Sequence, residues 1–424
     1  MADTTLAPTR SHAGPQPGPG PAGPACPGPA GPAGAGLAAA APACPLPTFF
    51  LGGFECSSHR RPDGRRLDLL ASTGHDRLFE SDYRLLQRHA ISAARDGMRW
   101  HLIETAPGRY DWSSVLPMLG AARRAGVHVI WDLCHYGWPD DLEIWSEAFV
   151  ARFADFAAAA ARIVSRNSDL PPFFCTVNEI SFWAWAGGEV GRIAPAARGR
   201  GAELKRQLVL ASIAATGAVR AAVPGARFLH AEPAIHVAPP SPARQAVDAS
   251  EAYRVAQFES LDMICGRQAP ELGGAPDMLD IVGINYYPDN QWYHGGATIP
   301  LGHHAYRPLR DLLAEVQARY GRPVIIAETG AEGSARASWL HYVCAEVRAA
   351  RRSAVPVEGI CLYPILDYPG WDDDRPCAVG LYSMPDGTGR RRADLDFCDE
   401  LDRQRLSFTD PASSRHPSGP ARAP

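Results

Sequence analysis

The 424-residue sequence lacks an excess of charge of either sign, a long apolar run and any cysteine motif. Lysine and arginine number 42 against 46 aspartate and glutamate, a formal net charge of −4, and the sequence pI is about 6.4. Without a global basic field, a nucleic-acid partner is not expected. The Arg60–Arg61, Arg351–Arg352 and Arg390–Arg392 patches are interleaved with acids and read as solvated surface. No apolar stretch approaches the ~18–20 residues that span a bilayer, so no membrane association is expected. The Ala-rich segment Gly36–Ala43 lacks a leucine-rich core and a preceding basic run, which argues against a secretory signal and for a cytoplasmic chain. The ten cysteines form no CxxC and no metal-ligand spacing. Cys134, Cys175 and Cys361 lie in apolar runs, where a thiol packs as a small core side chain, and reduced cysteines are expected.

Aromatic residues are absent from positions 1–47, whose only charges are Asp3 and Arg10. Proline, glycine and alanine fill 33 of those 47 positions. Such a segment cannot bury enough apolar surface to offset its ordering entropy, so a disordered tail is expected there. The Pro/Ser-rich residues 407–424 read the same way. A single domain is expected over residues 48–406.

Within that span short apolar runs alternate with longer segments of helical period, the βαβα order of a parallel sheet. Eight strands are predicted: Thr48–Phe54, Gly97–Ile103, Val127–Leu133, Pro172–Val177, Arg227–Glu232, Leu279–Asn285, Pro323–Ala327 and Gly359–Pro364. Several are continuous apolar runs, as expected of strands buried on both faces. Amphipathic segments fall between them, among them Ser81–Arg95, Ser113–Ala125, Ser146–Ser165 and Ala202–Val223. Eight strand–helix units predict a (β/α)8 barrel. An open doubly wound sheet is the alternative, but no GxGxxG follows a strand; Leu51-Gly52-Gly53-Phe54 does not match. A barrel locates the active site at the carboxyl ends of its strands.

Two strands run straight into a carboxylate: Phe173-Phe174-Cys175-Thr176-Val177-Asn178-Glu179 and Val324-Ile325-Ile326-Ala327-Glu328. A charge at the end of a buried strand is costly unless it is paired or at a mouth. Two such glutamates from opposite sides of a barrel provide what glycoside hydrolysis needs. One carboxyl protonates the leaving oxygen, and the other attacks the anomeric carbon or activates water.

Thr176-Val177-Asn178-Glu179-Ile180 resembles the T-x-N-E-P motif of family 1 glycoside hydrolases, and Ala327-Glu328-Thr329-Gly330 resembles their I-T-E-N-G motif. Gly283-Ile284-Asn285-Tyr286-Tyr287 is close to their G-x-N-Y-Y strand, and Met98-Arg99-Trp100 is similar to their Y-R-F position. The resemblance spans roughly residues 48–400 and implies a retaining glycosidase of the β-glucosidase type, with no metal and no cofactor. It makes Glu179 the acid/base and Glu328 the nucleophile. Asn178 is then expected at the sugar 2-hydroxyl, and Arg99 and Tyr287 against the nucleophile, with Asn285 beside them. His135 is expected to bind sugar, and one of Tyr286 and Tyr287 should face the helices.

The departures concern sugar recognition. Gly370 replaces a sugar-gripping glutamate, Tyr363 stands where a tryptophan floor is usual, and Trp371 is retained. The first strand has no glutamine in register; Glu55 takes its place or pairs with a base such as Arg99. Trp138 is a sugar platform or part of its loop. A carbohydrate or glycoside substrate is expected. The alternatives are a transglycosidase with the same carboxylates and a catalytically silent carbohydrate-binding barrel.

Overall fold

The computed structural model describes residues 46–409. The expected tails at 1–47 and 407–424 fall, for residues 1–45 and 410–424, outside the described residues. In chain order the barrel elements are β1 (Phe50–Gly53), α1 (His75–Gln87), β2 (Ala93–Gly97), α2 (Leu116–Ala125), β3 (His128–Cys134), α3 (Glu147–Asn167), β4 (Phe173–Val177) and α4 (Gly201–Ala222). The second half comprises β5 (Arg227–Pro233), α5 (Arg244–Val255), α6 (Glu259–Ile264), β6 (Ile281–Asn285), α7 (Leu309–Tyr320), β7 (Val324–Thr329), α8 (Ala335–Arg352), β8 (Val357–Leu362) and α9 (Leu395–Thr409). Each strand pairs in parallel with the next and β8 closes on β1, a (β/α)8 barrel.

Strand alternation divides the apolar side chains into two cores. Leu51, Ala93, Ile130, Phe173, Leu229, Ile281, Ile325 and Cys361 fill the barrel interior. Phe50, Ala94, Val129, Phe174, Phe228, Val282, Ile326 and Ile360 point outward into the larger core beneath the helices. All eight cysteines among the described residues are free and buried.

The second strand differs from the expectation. Residues Ser81–Arg95 do not form one helix: α1 runs from His75 to Gln87, the chain turns through Ala90 at φ 47°, and β2 is Ala93–Gly97. Trp100–Ile103, expected to be strand, is a single helical turn. Ala93, Ala94 and the Arg95–Asp96 pair carry helix propensity and charge, which local pattern reads as the end of a helix. The tertiary sheet overrides that preference. At the other terminus α9 continues to Thr409, past the expected boundary at 406, and Phe408 stacks on Phe49 with ring centroids 4.3 Å apart.

The register of β2 places Ala93, Arg95 and Gly97 inward and Asp96 outward. Asp96 accepts hydrogen bonds from Tyr83 (2.6 Å) and His75 (2.9 Å), whose other ring nitrogen meets Asp82 at 2.8 Å. Arg391 also donates to Asp82, tying the segment before α9 to α1. Burial opposes the His75 cation, but Asp96 and Asp82 outweigh it and push the pKa up to about 9. The folded pKa lies above the unfolded value, so the stabilisation is complete below about pH 6.5 and lost as pH rises through about 9. Its full size is on the order of 3 kcal/mol. Unfolding midpoints are therefore expected to fall between pH 7 and 9, with a flatter limb in His75→Gln. A wild-type curve level over that range contradicts the charged network.

Candidate active site at the carboxyl end of the barrel

Arg95 lies at the centre of the barrel mouth with no exposed surface. Its five N–H donors are all engaged. Nε and Nη2 donate to Asp132 (3.3 and 2.6 Å), and Nη2 also reaches Asn178 Oδ1 at 3.1 Å. Nη1 donates to Glu328 Oε1 at 2.9 Å and to the Ala327 carbonyl at 3.0 Å. Arg99, expected here, instead pairs with Asp68 at 3.1 Å and Asp76 at 3.6 Å. The one-residue alternation of β2 explains the correction: the inward guanidinium belongs to Arg95, and Arg99 lies past the strand end.

Glu328 reaches Arg95 through a register irregularity. Strict alternation after Ile325 and Ala327, both inward, would turn Glu328 toward the helices. The β6–β7 register shifts between Ile326 and Glu328, and the β7–β8 register shifts between Ile326 and Thr329. The shift re-aims Glu328 inward and sends Thr329 outward, where its hydroxyl meets Trp339 Nε1 at 2.9 Å. Glu328 Oε2 accepts from the Tyr287 hydroxyl at 3.0 Å. Tyr286 points the other way and packs on Trp339. Burial pushes the Glu328 carboxyl up to about 7; Arg95 opposes the rise, and Glu179 and Glu55 add to it.

Glu179 follows β4 with φ 45° and ψ 61°, left-handed backbone that a residue with a Cβ seldom adopts. Its carboxylate accepts from the Tyr136 hydroxyl (2.7 Å) and from Asn285 Nδ2 (3.0 Å). Burial raises its pKa, the Tyr136 and Asn285 hydrogen bonds oppose that, and Glu232 adds to it. Among the described residues no lysine or arginine hydrogen-bonds to Glu179. The two glutamates thus share one site with different partners.

His135 and Asn178 are saturated by protein. Asn178 Oδ1 faces Arg95, so its Nδ2 must donate, reaching His135 Nε2 and the Tyr136 hydroxyl, each at 3.0 Å. His135 Nε2 is therefore an acceptor, and Nδ1–H donates to Asp132 at 3.0 Å. Burial favours the neutral ring, whereas Asp132 raises its pKa above the ordinary value. The amide decides between them, because protonation at Nε2 would set two donors face to face. A sugar hydroxyl reaches His135 or Asn178 only by displacing one of these bonds.

Around this centre, Tyr363 lies parallel to His135 with 6.2 Å between ring centroids, and Arg95 sits 5.4 Å from its ring. Its ring packs on Gly53, where a Cβ would come within 2.1 Å of Tyr363 Cδ2, so β1 needs glycine there. Trp371 borders Tyr136 and Phe182. Glu55 is buried and accepts from the Ser57 backbone N–H at 3.0 Å, not from Arg99. Trp138 donates to the Leu142 carbonyl and lines a polar crevice with Arg60, Arg66 and Asp140, apart from the carboxylates. Gly370 is held by the loop, its carbonyl accepting from Arg61 at 3.2 Å.

Several site residues escaped the sequence reading. Asp132 and Arg95 form a buried ion pair; Tyr136 is the hydrogen-bond partner of Glu179, and His59 packs 4.5 Å from Trp371. Burial, with His135, Arg192 and Arg61, lowers the His59 pKa to about 3 and keeps the ring neutral. His59 Nδ1, Trp371 Nε1 and Asn285 Oδ1 are buried with no hydrogen-bond partner among the described residues. Glu232 ends β5 in the run Leu229-His230-Ala231-Glu232, the same apolar-to-carboxylate pattern that marked Glu179 and Glu328. Cys56, Asp132 and His135 bring three potential metal ligands within 4.8 Å of one another. The positive charge that a metal would bring there is already supplied by the Arg95 guanidinium on the same Asp132 oxygen, and the donor set does not call for an ion.

Removing the guanidinium leaves Asp132 and Glu328 buried without a cation. Arg95→Met is expected to lower the unfolding free energy by about 3–5 kcal/mol, while Arg99→Ala, at a partly exposed pair, should change it by about 1 kcal/mol or less. Equal losses in urea unfolding of the two variants would contradict the central position of Arg95.

No protein-family model and no curated protein matches the chain. Its fold is shared with solved enzyme structures at low identity. The AHE enzyme from Alicyclobacillus herbarius superposes with a TM-score of 0.71 and 17% identity, covering 85% of this chain and 98% of that one. The family 1 β-glucosidase from Thermotoga maritima gives 0.66 and 16% over the same shares. The rice β-glucosidase Os3BGlu6, solved in a covalent complex with Glc, gives 0.68 and 16%, again covering 85% of this chain and 98% of that one. The chain has the (β/α)8 barrel of family 1 β-glucosidases.

Proposed function

We propose that the chain is a retaining glycoside hydrolase that acts on β-glycosides, with Glu328 as nucleophile and Glu179 as acid/base. The observation that carries this reading is the asymmetry of the two glutamates. Glu328 is held by the Arg95 guanidinium and the Tyr287 phenol, whereas Glu179 meets the neutral donors Tyr136 and Asn285. A guanidinium favours the ionised carboxylate, while burial beside a second anion favours a proton. Burial raises both groups, so the contact with Arg95 separates their roles.

In the first step a Glu328 oxygen bonds to the anomeric carbon as the bond to the aglycone oxygen breaks. The Glu179 proton passes to that oxygen. Glu179, now ionised, takes a proton from water, whose oxygen bonds to the anomeric carbon and releases Glu328. Two inversions retain the configuration, and neither step calls for a metal or a cofactor. The rice neighbour carries Glc covalently on this fold, which supports the reading. The unpartnered polar atoms of His59, Trp371 and Asn285, with the Tyr363 and Trp371 rings, suit a hydroxyl-rich substrate with an apolar face.

Glu179→Ala is expected to slow hydrolysis of a glycoside with a poor leaving group by about 10²–10⁴-fold. Glu328→Ala should abolish turnover of an activated aryl β-glycoside, with azide restoring it as a glycosyl azide of inverted configuration. Undiminished turnover in Glu328→Ala would overturn the assignment.

A further inference from the structure

We propose that Glu232, at the end of β5, is a positioning residue for Glu179: it holds the left-handed backbone at that residue and brings a second carboxylate to bear on it. The inference rests on the acid/base role given to Glu179 above. The backbone geometry is its foundation. Glu179 N–H donates to the Ala231 carbonyl at 3.0 Å, fastening the end of β4 to the residue before Glu232. Two residues on, Ser181 N–H donates to both oxygens of Glu232, at 3.1 and 3.3 Å. The strained residue is thus clamped on both sides by consecutive groups of β5, which is how an unfavourable φ is kept.

The clamp has a polar backing. Ser260 of α6 hydrogen-bonds to Glu232 and lies 3.2 Å from the Ser181 hydroxyl, and Lys205 of α4, the only lysine in the chain, pairs with Glu259 at 2.7 Å and adds its positive field. Burial pushes the Glu232 pKa up to about 7, against the pull of Ser260, Ser181 and Lys205. Above that pH it carries a charge next to Glu179. The other groups that face Glu179 are Tyr136 and His135 after β3, Asn285 of β6 and Glu328 of β7. Glu232 and Glu328 favour the proton, while the Tyr136 and Asn285 hydrogen bonds oppose it.

The test titrates Glu179 in the full-length protein by ¹³C NMR of carboxyl-labelled glutamate, its signal being the one missing in Glu179→Gln. Glu232→Gln keeps an acceptor oxygen for Ser181 and removes the charge. Its Glu179 midpoint should fall by about one pH unit, and Glu232→Asp should restore it. The alkaline limb of kcat/KM for a glycoside with a poor leaving group should shift equally. A substrate whose leaving group needs no proton should be unaffected. Ser260→Ala, which removes a donor to Glu232 and spares the 179–181 backbone, should move the midpoint the same way by less. An unmoved midpoint in the Gln and Ala variants, or an equal loss on both substrates, would overturn the proposal. Absence of glycosidase activity in the wild type would remove the functional reading, and the NMR midpoints would still decide the part played by Glu232.

Discussion

The site depends on one buried cation. Arg95 sits inside a barrel whose lower layers are apolar, and a guanidinium there is tolerated only when its charge and all five donors are met. Asp132 and Glu328 meet the charge; Asn178 and the Ala327 carbonyl complete the donors. The consequences spread outward through hydrogen-bond polarity. Because Arg95 claims the oxygen of Asn178, the amide nitrogen must face His135 and Tyr136. That fixes the imidazole tautomer, and Tyr136 is left to donate to Glu179. One partner of each glutamate, Arg95 on Glu328 and Tyr136 on Glu179, therefore follows from a single residue of β2.

The barrel gives two carboxylates unlike surroundings at one mouth. A register shift in β7 aims Glu328 at the cation, and a left-handed residue after β4 aims Glu179 at neutral donors. Both devices are local departures from regular structure. They are held by the sheet on either side, which is where strain of this kind persists. One carboxylate paired with a cation and the other with neutral donors is the asymmetry on which double displacement draws.

The fold was legible because seven of its eight strands are apolar runs of the right length between helical segments. The glutamates at 179 and 328 stood out because each ends such a run. The second strand was hidden: Ala93-Ala94-Arg95-Asp96-Gly97 has two good helix formers and two charges, and only the neighbouring strands make it a strand. That shift moved the expected guanidinium from Arg95 to Arg99. Contacts made across the barrel were not legible either. Tyr136 at a positive φ, the saturation of His135 and the neutral His59 depend on partners distant in sequence. Glu232 carries the same strand-end signal as the other two, but its part depends on the Ser181 and Ser260 contacts, which the sequence does not show.

The central claim is that Glu328, paired with Arg95, forms the bond to sugar. The most direct measurement is mass spectrometry of the protein after incubation with a 2-deoxy-2-fluoro-β-glycoside bearing an activated leaving group, followed by peptide mapping. The account predicts one glycosyl adduct per chain, on the peptide containing Glu328, and none in Arg95→Met. No adduct in the wild type, or an adduct on another residue, would contradict it.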